Sequence, residues 1–271
     1  KDDISNATKY IGTDERKEDL KEVLITGGDP LMSLPLLSYT LGEIKKNAPN
    51  IKIVRIASRV PFHDPERINN AMLEVFSEYS NFRFELGTHI NHPVEFWKES
   101  IESIERLQSV GFRIYNQNPL LKGVNDDFET LSELYSNLRD NDIESHYLFH
   151  AVPLRGMSHH RTSVKKGIDL SNALSSCGEF SGRSKAKYCI LSDIGKIVVY
   201  QDTIVDKIKK NNSILLKSGF NIENRLKWNP SWKKPDSVEL DEDGTMYVWY
   251  LDGSDEQLEV IKKETPSYVQ F

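Results

Sequence analysis

Clusters of residues capable of binding chemistry recur along this chain at regular intervals. Gly27-Gly28-Asp29 sets two glycines, which let backbone carbonyls approach a cation, beside a carboxylate that complements one. Ser58-Arg59 brings a guanidinium, whose planar fork matches a carboxylate in two hydrogen bonds. His89, Asn91 and His92, then Asn116, Gln117 and Asn118, are donors and acceptors; His150, Asp193 and Lys196 complete the set. Each cluster has a plain reading. Gly-Gly-Asp-Pro makes a good turn and helix start, Asn and Asp cap helices, and a lone His is usually a satisfied group. His89-x-x-His92 has the look of a metal pair, but Pro93 ends the segment and spacing fixes no third ligand. His159-His160-Arg161 is a second ligand cluster, a phosphate-binding group or, most plainly, a solvated loop. Cys177 and Cys189 match no zinc or iron–sulfur spacing, and no Ser-His-Asp elbow or phosphate-cradling G-x-x-x-x-G-K is present.

What positions these clusters is an alternation of short apolar runs and helix-period stretches. The runs Glu22–Thr26, Ile51–Ala57, Phe82–Leu86, Phe112–Tyr115, Glu144–Phe149 and Lys187–Leu191 read as strands, each ending in one of the clusters. Between them Leu34–Lys46, Pro65–Tyr79, Pro93–Val110, Phe128–Arg139 and Ser163–Ser175 carry amphipathic stripes. The first five strands start at 22, 51, 82, 112 and 144, intervals of 29, 31, 30 and 32 residues. That is the length of one βα unit, and in parallel βα barrels the site lies at the carboxyl ends of the strands. The chain is therefore expected to be α/β: a partial (β/α) barrel over residues 1–195, and a small β-rich C-terminal appendage over 196–271. In the appendage, Ser237–Leu240 and Thr245–Leu251 around an Asp241–Gly244 turn predict a hairpin, and Leu258–Ile261 is a further apolar run. Trp228, Trp232 and Trp249 predict a mini-core there.

Composition excludes several classes. The 271 residues carry 35 Lys+Arg against 41 Asp+Glu, a net charge of −6, which argues against a general nucleic-acid backbone binder. No apolar run approaches the roughly 20 residues that span a bilayer. Two cysteines and no signal-peptide pattern predict a reducing, cytoplasmic location. The chain opens at Lys1 without Met, so it is expected to be a piece of a longer protein.

The blocks Glu22–Leu31, Val54–Pro61, Thr88–Pro93, Asn116–Asp126, and Arg155-Gly156 through Arg161-Thr162 and Lys166-Gly167 resemble, in order and spacing, the lysine 2,3-aminomutase family of radical S-adenosylmethionine enzymes. The resemblance implies a partial (β/α) barrel and a [4Fe-4S] cluster held by a C-x-x-x-C-x-x-C loop. S-adenosylmethionine bound to it would yield a 5′-deoxyadenosyl radical that abstracts hydrogen from a small amino-acid-like substrate. It also implies a reductant such as flavodoxin or ferredoxin, and is compatible with a homo-oligomer. By the same carry-over, Gly27, Gly28 and Asp29 meet the methionyl amino group, Ser58 and Arg59 the methionyl carboxylate, and His89, Asn91 and Gln117 the nucleoside. His150, His159, His160 and Arg161 would line the substrate side, and Lys196 would be the lysine that holds pyridoxal phosphate.

Three departures qualify that carry-over. No C-x-x-x-C-x-x-C occurs; in the family it lies about where this chain begins, so the first strand and the cluster ligands are expected before Lys1. The family's substrate aspartate falls near Val152, where a lysine ε-ammonium would lose its partner. The glycine-rich loop before the pyridoxal lysine shrinks to Ser192-Asp193-Ile194-Gly195-Lys196, with fewer backbone N–H groups for a phosphate. Two other readings stand beside the radical enzyme: a cluster-free barrel serving as a binding or scaffold module, and a zinc-dependent hydrolase built on His89 and His92.

Overall fold

A computed structural model describes residues 1–200, 202–207 and 212–255. The apolar run Leu258–Ile261 lies outside them. The described chain forms two compact units. One comprises Lys1–Pro119, Asp127–Phe149 and Ser171–Lys187; the other comprises Leu120–Asp126, His150–Leu170 and the described residues from Tyr188 onward.

In the first unit the strands are β1 (Glu22–Ile25), β2 (Ile53–Ala57), β3 (Arg83–Thr88), β4 (Arg113–Leu120) and β5 (Ile143–His150). They lie side by side in sequence order, and β1 through β4 pair parallel. A doubly wound sheet reverses its strand order at a switch point; one wound in a single direction is barrel-like. The partial (β/α) barrel expected from the sequence is the fold observed. Strand alternation explains its two faces. Val54, Ile56, Phe84, Leu86 and Ile114 are buried apolar residues, and Phe84 stacks on Phe112 at 5.1 Å while both meet Phe76 edge-on. The intervening Arg55, Glu85 and Tyr115 are polar and share the opposite face. A parallel sheet buried on both faces would read as continuous apolar runs; here one face is built for polar company.

The helices are α1 (Asp2–Ile11), α2 (Leu34–Asn47), α3 (Val60–His63), α4 (Asn70–Glu78), α5 (Lys98–Ser109), α6 (Phe128–Asp140) and α7 (Val164–Ser176). The expected helices over Pro65–Tyr79 and Pro93–Val110 each break in two. Pro65–Arg67 and Pro93–Glu95 are single 3-10 turns, and the α-helices start afterwards. Asn69 supplies a separate N-cap for α4 by accepting from the Met72 N–H. Helix α1 was not foreseen.

In the second unit β6 (Lys187–Ser192) and β7 (Gly195–Val198) form an antiparallel hairpin, so Ser192-Asp193-Ile194-Gly195 is a tight turn. Four antiparallel strands follow in the order β10-β11-β9-β8: β8 (Ile204–Lys207), β9 (Ser213–Asn221), β10 (Val238–Leu240) and β11 (Thr245–Leu251). A short helix, α8 (Ile222–Trp228), separates β9 from β10. The hairpin predicted around Asp241–Gly244 is present. The tryptophan mini-core is not. Ile214, Leu216, Val238, Met246, Val248 and Tyr250 fill the interior, while Trp228 is 63% exposed. Inward alternation along β9 and β11 chose aliphatic residues, leaving Trp249 on the outer face, where its Nε1 donates to Glu239.

Candidate functional site

The carboxyl ends of β1, β2 and β3 enclose a cleft of about 370 Å³. Thr26, Gly28 and Asp29 line it after β1, Ala57, Ser58 and Arg59 with His63 after β2, and Gly87 and His89 after β3. Gly27 and Asn91 adjoin this lining without being part of it. Gln117 is not part of the lining but packs against Gly87, where an added Cβ would stand 2.9 Å from the Gln117 Nε2 and 3.1 Å from the Tyr115 ring. Gly27 and Gly28 take φ values of 97° and 58° with nothing near an added Cβ. Backbone conformation rather than crowding selects glycine there.

Several of these side chains are already engaged. Asp29 accepts the Leu31 N–H at 3.1 Å with one carboxylate oxygen and the Arg59 N–H at 2.8 Å with the other. It caps the 3-10 turn Pro30–Met32 and ties the first strand's loop to the second's. Ser58 is buried, and its Oγ accepts the Val60 N–H at 3.1 Å. The Arg59 guanidinium donates from Nη2 to Glu95 at 3.0 Å, while its Nε is buried without a partner among the described residues. A buried donor left unmade costs about 1–3 kcal/mol, and the Nε atoms of Arg16 and Arg106 share that state. Glu95 escaped sequence reading. It completes a capping box whose N-cap is His92 rather than Ser, Thr, Asp or Asn, so the usual signature is absent.

Toward the amino ends of the strands the same sheet face carries a charged layer. Register places Arg55 between Leu24 and Glu85, with Arg113 beyond, and Ala57, Gly87 and Tyr115 one level nearer the cleft. Arg55 bonds Glu22 at 3.2 Å and the Tyr115 hydroxyl at 2.9 Å, with Glu85 at 3.5 Å. Burial raises the Tyr115 phenol, and the guanidinium opposes that rise.

No protein-family model matches the chain. Among curated proteins, it is 34% identical over 191 residues to the L-lysine 2,3-aminomutase of Methanococcus maripaludis, covering 70% of this chain and 42% of that one. It is 33% identical over 188 residues to the Clostridium subterminale L-lysine 2,3-aminomutase, covering 69% and 42%. The glutamate 2,3-aminomutase of Clostridioides difficile is 31% identical over 188 residues, covering 69% and 43%. All three of these relatives are named as 2,3-aminomutases. The resemblance read from the motif blocks therefore extends over some two thirds of the chain. The chain spans about half the length of the curated relatives it matches. A solved domain of a pyruvate-formate lyase-activating enzyme from Bacteroides vulgatus aligns with 62% of this chain at TM-score 0.42 and 16% identity.

The other sequence-designated residues lie in the second unit. His150 is fully buried, its Nδ1 2.7 Å from the Tyr188 hydroxyl and its Nε2 without a partner among the described residues. Desolvation, aided by Arg161, lowers it to about 3, so the ring is neutral. Arg161 is also buried and donates to three carbonyls, those of Ala151, Leu251 and Asp252. Its guanidinium is spent on the fold. His159 is exposed and its ring lies 4.0 Å from that of His160. Lys196 is exposed on β7 opposite Leu191 and borders a cleft of about 360 Å³ with Lys217, Tyr200 and Phe220.

For a zinc site, no group of three His, Cys, Asp or Glu suited to a metal occurs among the described residues. The His92 Nδ1 accepts the Val94 N–H at 3.2 Å as a cap. Neither cysteine is in a disulfide; Cys189 is buried, which pushes its thiol up to about 11. No helix among the described residues is long and apolar enough to cross a membrane.

Proposed function

We propose that this chain carries the S-adenosylmethionine-binding part of an aminomutase-like radical enzyme, which begins its reaction by abstracting hydrogen from a small amino-acid-like substrate. The observation that carries this reading is the cleft at the carboxyl ends of β1 to β3, with its glycine pair and the partnerless buried Nε of Arg59, in a chain related to 2,3-aminomutases.

The residues of the cleft suit that ligand. The Gly27-Gly28 turn leaves room for a cationic amino group to reach backbone carbonyls. Arg59 offers Nε to the methionyl carboxylate, and a guanidinium–carboxylate bond is among the stronger kinds. His89, Asn91 and Gln117 are polar side chains of a kind suited to ribose hydroxyls. Asp29 acts by holding the Arg59 main chain in place, not through an uncommitted carboxylate. When bound there, S-adenosylmethionine would, on taking one electron from the reductant and breaking its C5′–S bond to release methionine, supply the 5′-deoxyadenosyl radical that takes hydrogen from the substrate. A reductant such as flavodoxin or ferredoxin would serve the reaction.

Two other groups do not fit the described residues. A [4Fe-4S] cluster needs three thiolates, and the chain has two cysteines, one of them a buried thiol. Around Lys196 the hairpin turn closes on itself, with Ser192 Oγ donating to the Gly195 carbonyl at 2.8 Å, and leaves no row of N–H groups for a phosphate. Lys196 is therefore not proposed as a pyridoxal lysine.

The test is anaerobic reconstitution of the full-length gene product with iron, sulfide, S-adenosylmethionine and a reductant, followed by assay for 5′-deoxyadenosine. Its formation, with deuterium acquired from a deuterated amino acid, is expected. S-adenosylmethionine bound but never cleaved would instead favour the binding-module reading.

A further inference from the structure

Within that proposed site, we infer that Glu95 is a positioning residue that sets the Arg59 guanidinium for a ligand carboxylate. The inference rests on the S-adenosylmethionine reading and adds a residue to it.

Glu95 divides its two carboxylate oxygens between two tasks. Oε2 accepts from Arg59 Nη2 at 3.0 Å. Oε1 accepts the Asn91 N–H at 2.7 Å and the His92 N–H at 3.2 Å, fixing the turn that follows β3. Its own backbone N–H bonds the His92 carbonyl, so the carboxylate is anchored at both ends. Side-chain exposure of 20% for Glu95 and 36% for Arg59 leaves the pair half sheltered at the rim of the cleft. From the other side the Asp29 carboxylate holds the Arg59 main-chain N–H. Arg59 is thus gripped at its backbone from β1 and at one guanidinium nitrogen from the loop after β3. Among the described residues, the bond to Glu95 engages Nη2 alone, and Nε is buried without a partner. An arginine on a loop ordinarily loses substantial side-chain freedom on binding a ligand; one already fixed does not.

The two tasks separate by substitution. In Glu95→Gln the amide oxygen still accepts from the Asn91 and His92 N–H groups, but the amide nitrogen cannot accept from a guanidinium. In Glu95→Ala both are lost. The experiment is calorimetric titration of the full-length protein with S-adenosylmethionine and, in parallel, with 5′-methylthioadenosine, which keeps the nucleoside and lacks the methionyl carboxylate.

Glu95→Gln is expected to weaken S-adenosylmethionine binding about tenfold, the scale of one charge-assisted contact. It should leave 5′-methylthioadenosine within about twofold, and add nothing when combined with Arg59→Ala. Glu95→Ala is expected to weaken both ligands. Equal loss of both ligands in Glu95→Gln, or an unchanged S-adenosylmethionine affinity, would overturn the inference while leaving the proposed function standing. Failure of the unsubstituted protein to bind S-adenosylmethionine would overturn the proposed function and the inference together.

Discussion

Single residues in this chain do less, or different, chemistry than their types advertise. Asp29 and Ser58 look like ligand groups in sequence, yet each caps a turn. Gly87 looks like a turn glycine, yet it leaves space for the Tyr115 ring and the Gln117 amide beside it. Gly87→Ala should therefore displace both, costing about 1–3 kcal/mol in urea unfolding and weakening S-adenosylmethionine binding. His150 behaves as a buried neutral ring. An unfolded imidazole titrates near 6.5, whereas burial lowers this one to about 3. Its contribution to stability is therefore complete above about pH 6.5 and is lost as pH falls toward 3, since only the unfolded chain gains the proton. The slope from this group reaches about 1.4 kcal/mol per pH unit. Urea midpoints measured from pH 7 to 4 should fall less steeply in His150→Phe than in the parent; parallel curves would contradict the neutral-ring assignment.

At the scale of elements, the strand ends were legible because β-branched runs stop abruptly at polar clusters, and the six predicted strands all occur. Helix starts were less legible. Proline opened two of them as 3-10 turns, and the true caps, Asn69 and the position before Lys98, lie further on. The β6–β7 turn was read as a shortened loop because pairing between Ser192 and Gly195 depends on partner strands, which local composition does not reveal. A second feature is a strap after β11. Asp252 accepts the Val164 N–H at 2.7 Å, Asp255 accepts the Ser163 N–H at 2.7 Å, and both cap the start of α7. An added Cβ on Gly253 would stand 1.7 Å from the Thr162 carbonyl oxygen. Gly253→Ala should unfasten that strap. The expected result is faster amide exchange in the first turn of α7 and a lower unfolding midpoint, with β1 to β4 unaffected. In the first unit, Phe76→Ala removes the ring shared by Phe84 and Phe112 and should cost about 3–5 kcal/mol.

At the scale of the whole molecule, the polar face of the sheet, the cleft at its strand ends and the likeness to aminomutases are the grounds for the proposed S-adenosylmethionine site. Much of the cleft's lining, Gly28, Asp29, Ser58, Arg59 and His89, was legible in sequence, since each strand delivers its cluster to the same end of a parallel sheet. Glu95, which grips Arg59 from three dozen residues away in sequence, was not, because only folding brings the two together. Around Lys196 the β6–β7 turn closes on itself, and borohydride reduction of the full-length protein after incubation with pyridoxal phosphate is expected to leave no label at Lys196. The most direct measurement is amide hydrogen exchange of the full-length protein with and without S-adenosylmethionine. Slowed exchange at Gly27–Asp29, Ser58–Arg59 and His89–His92, abolished by Arg59→Ala, is the expected result. Unchanged exchange in those three loops under saturating ligand would contradict the placement of S-adenosylmethionine at the ends of β1, β2 and β3.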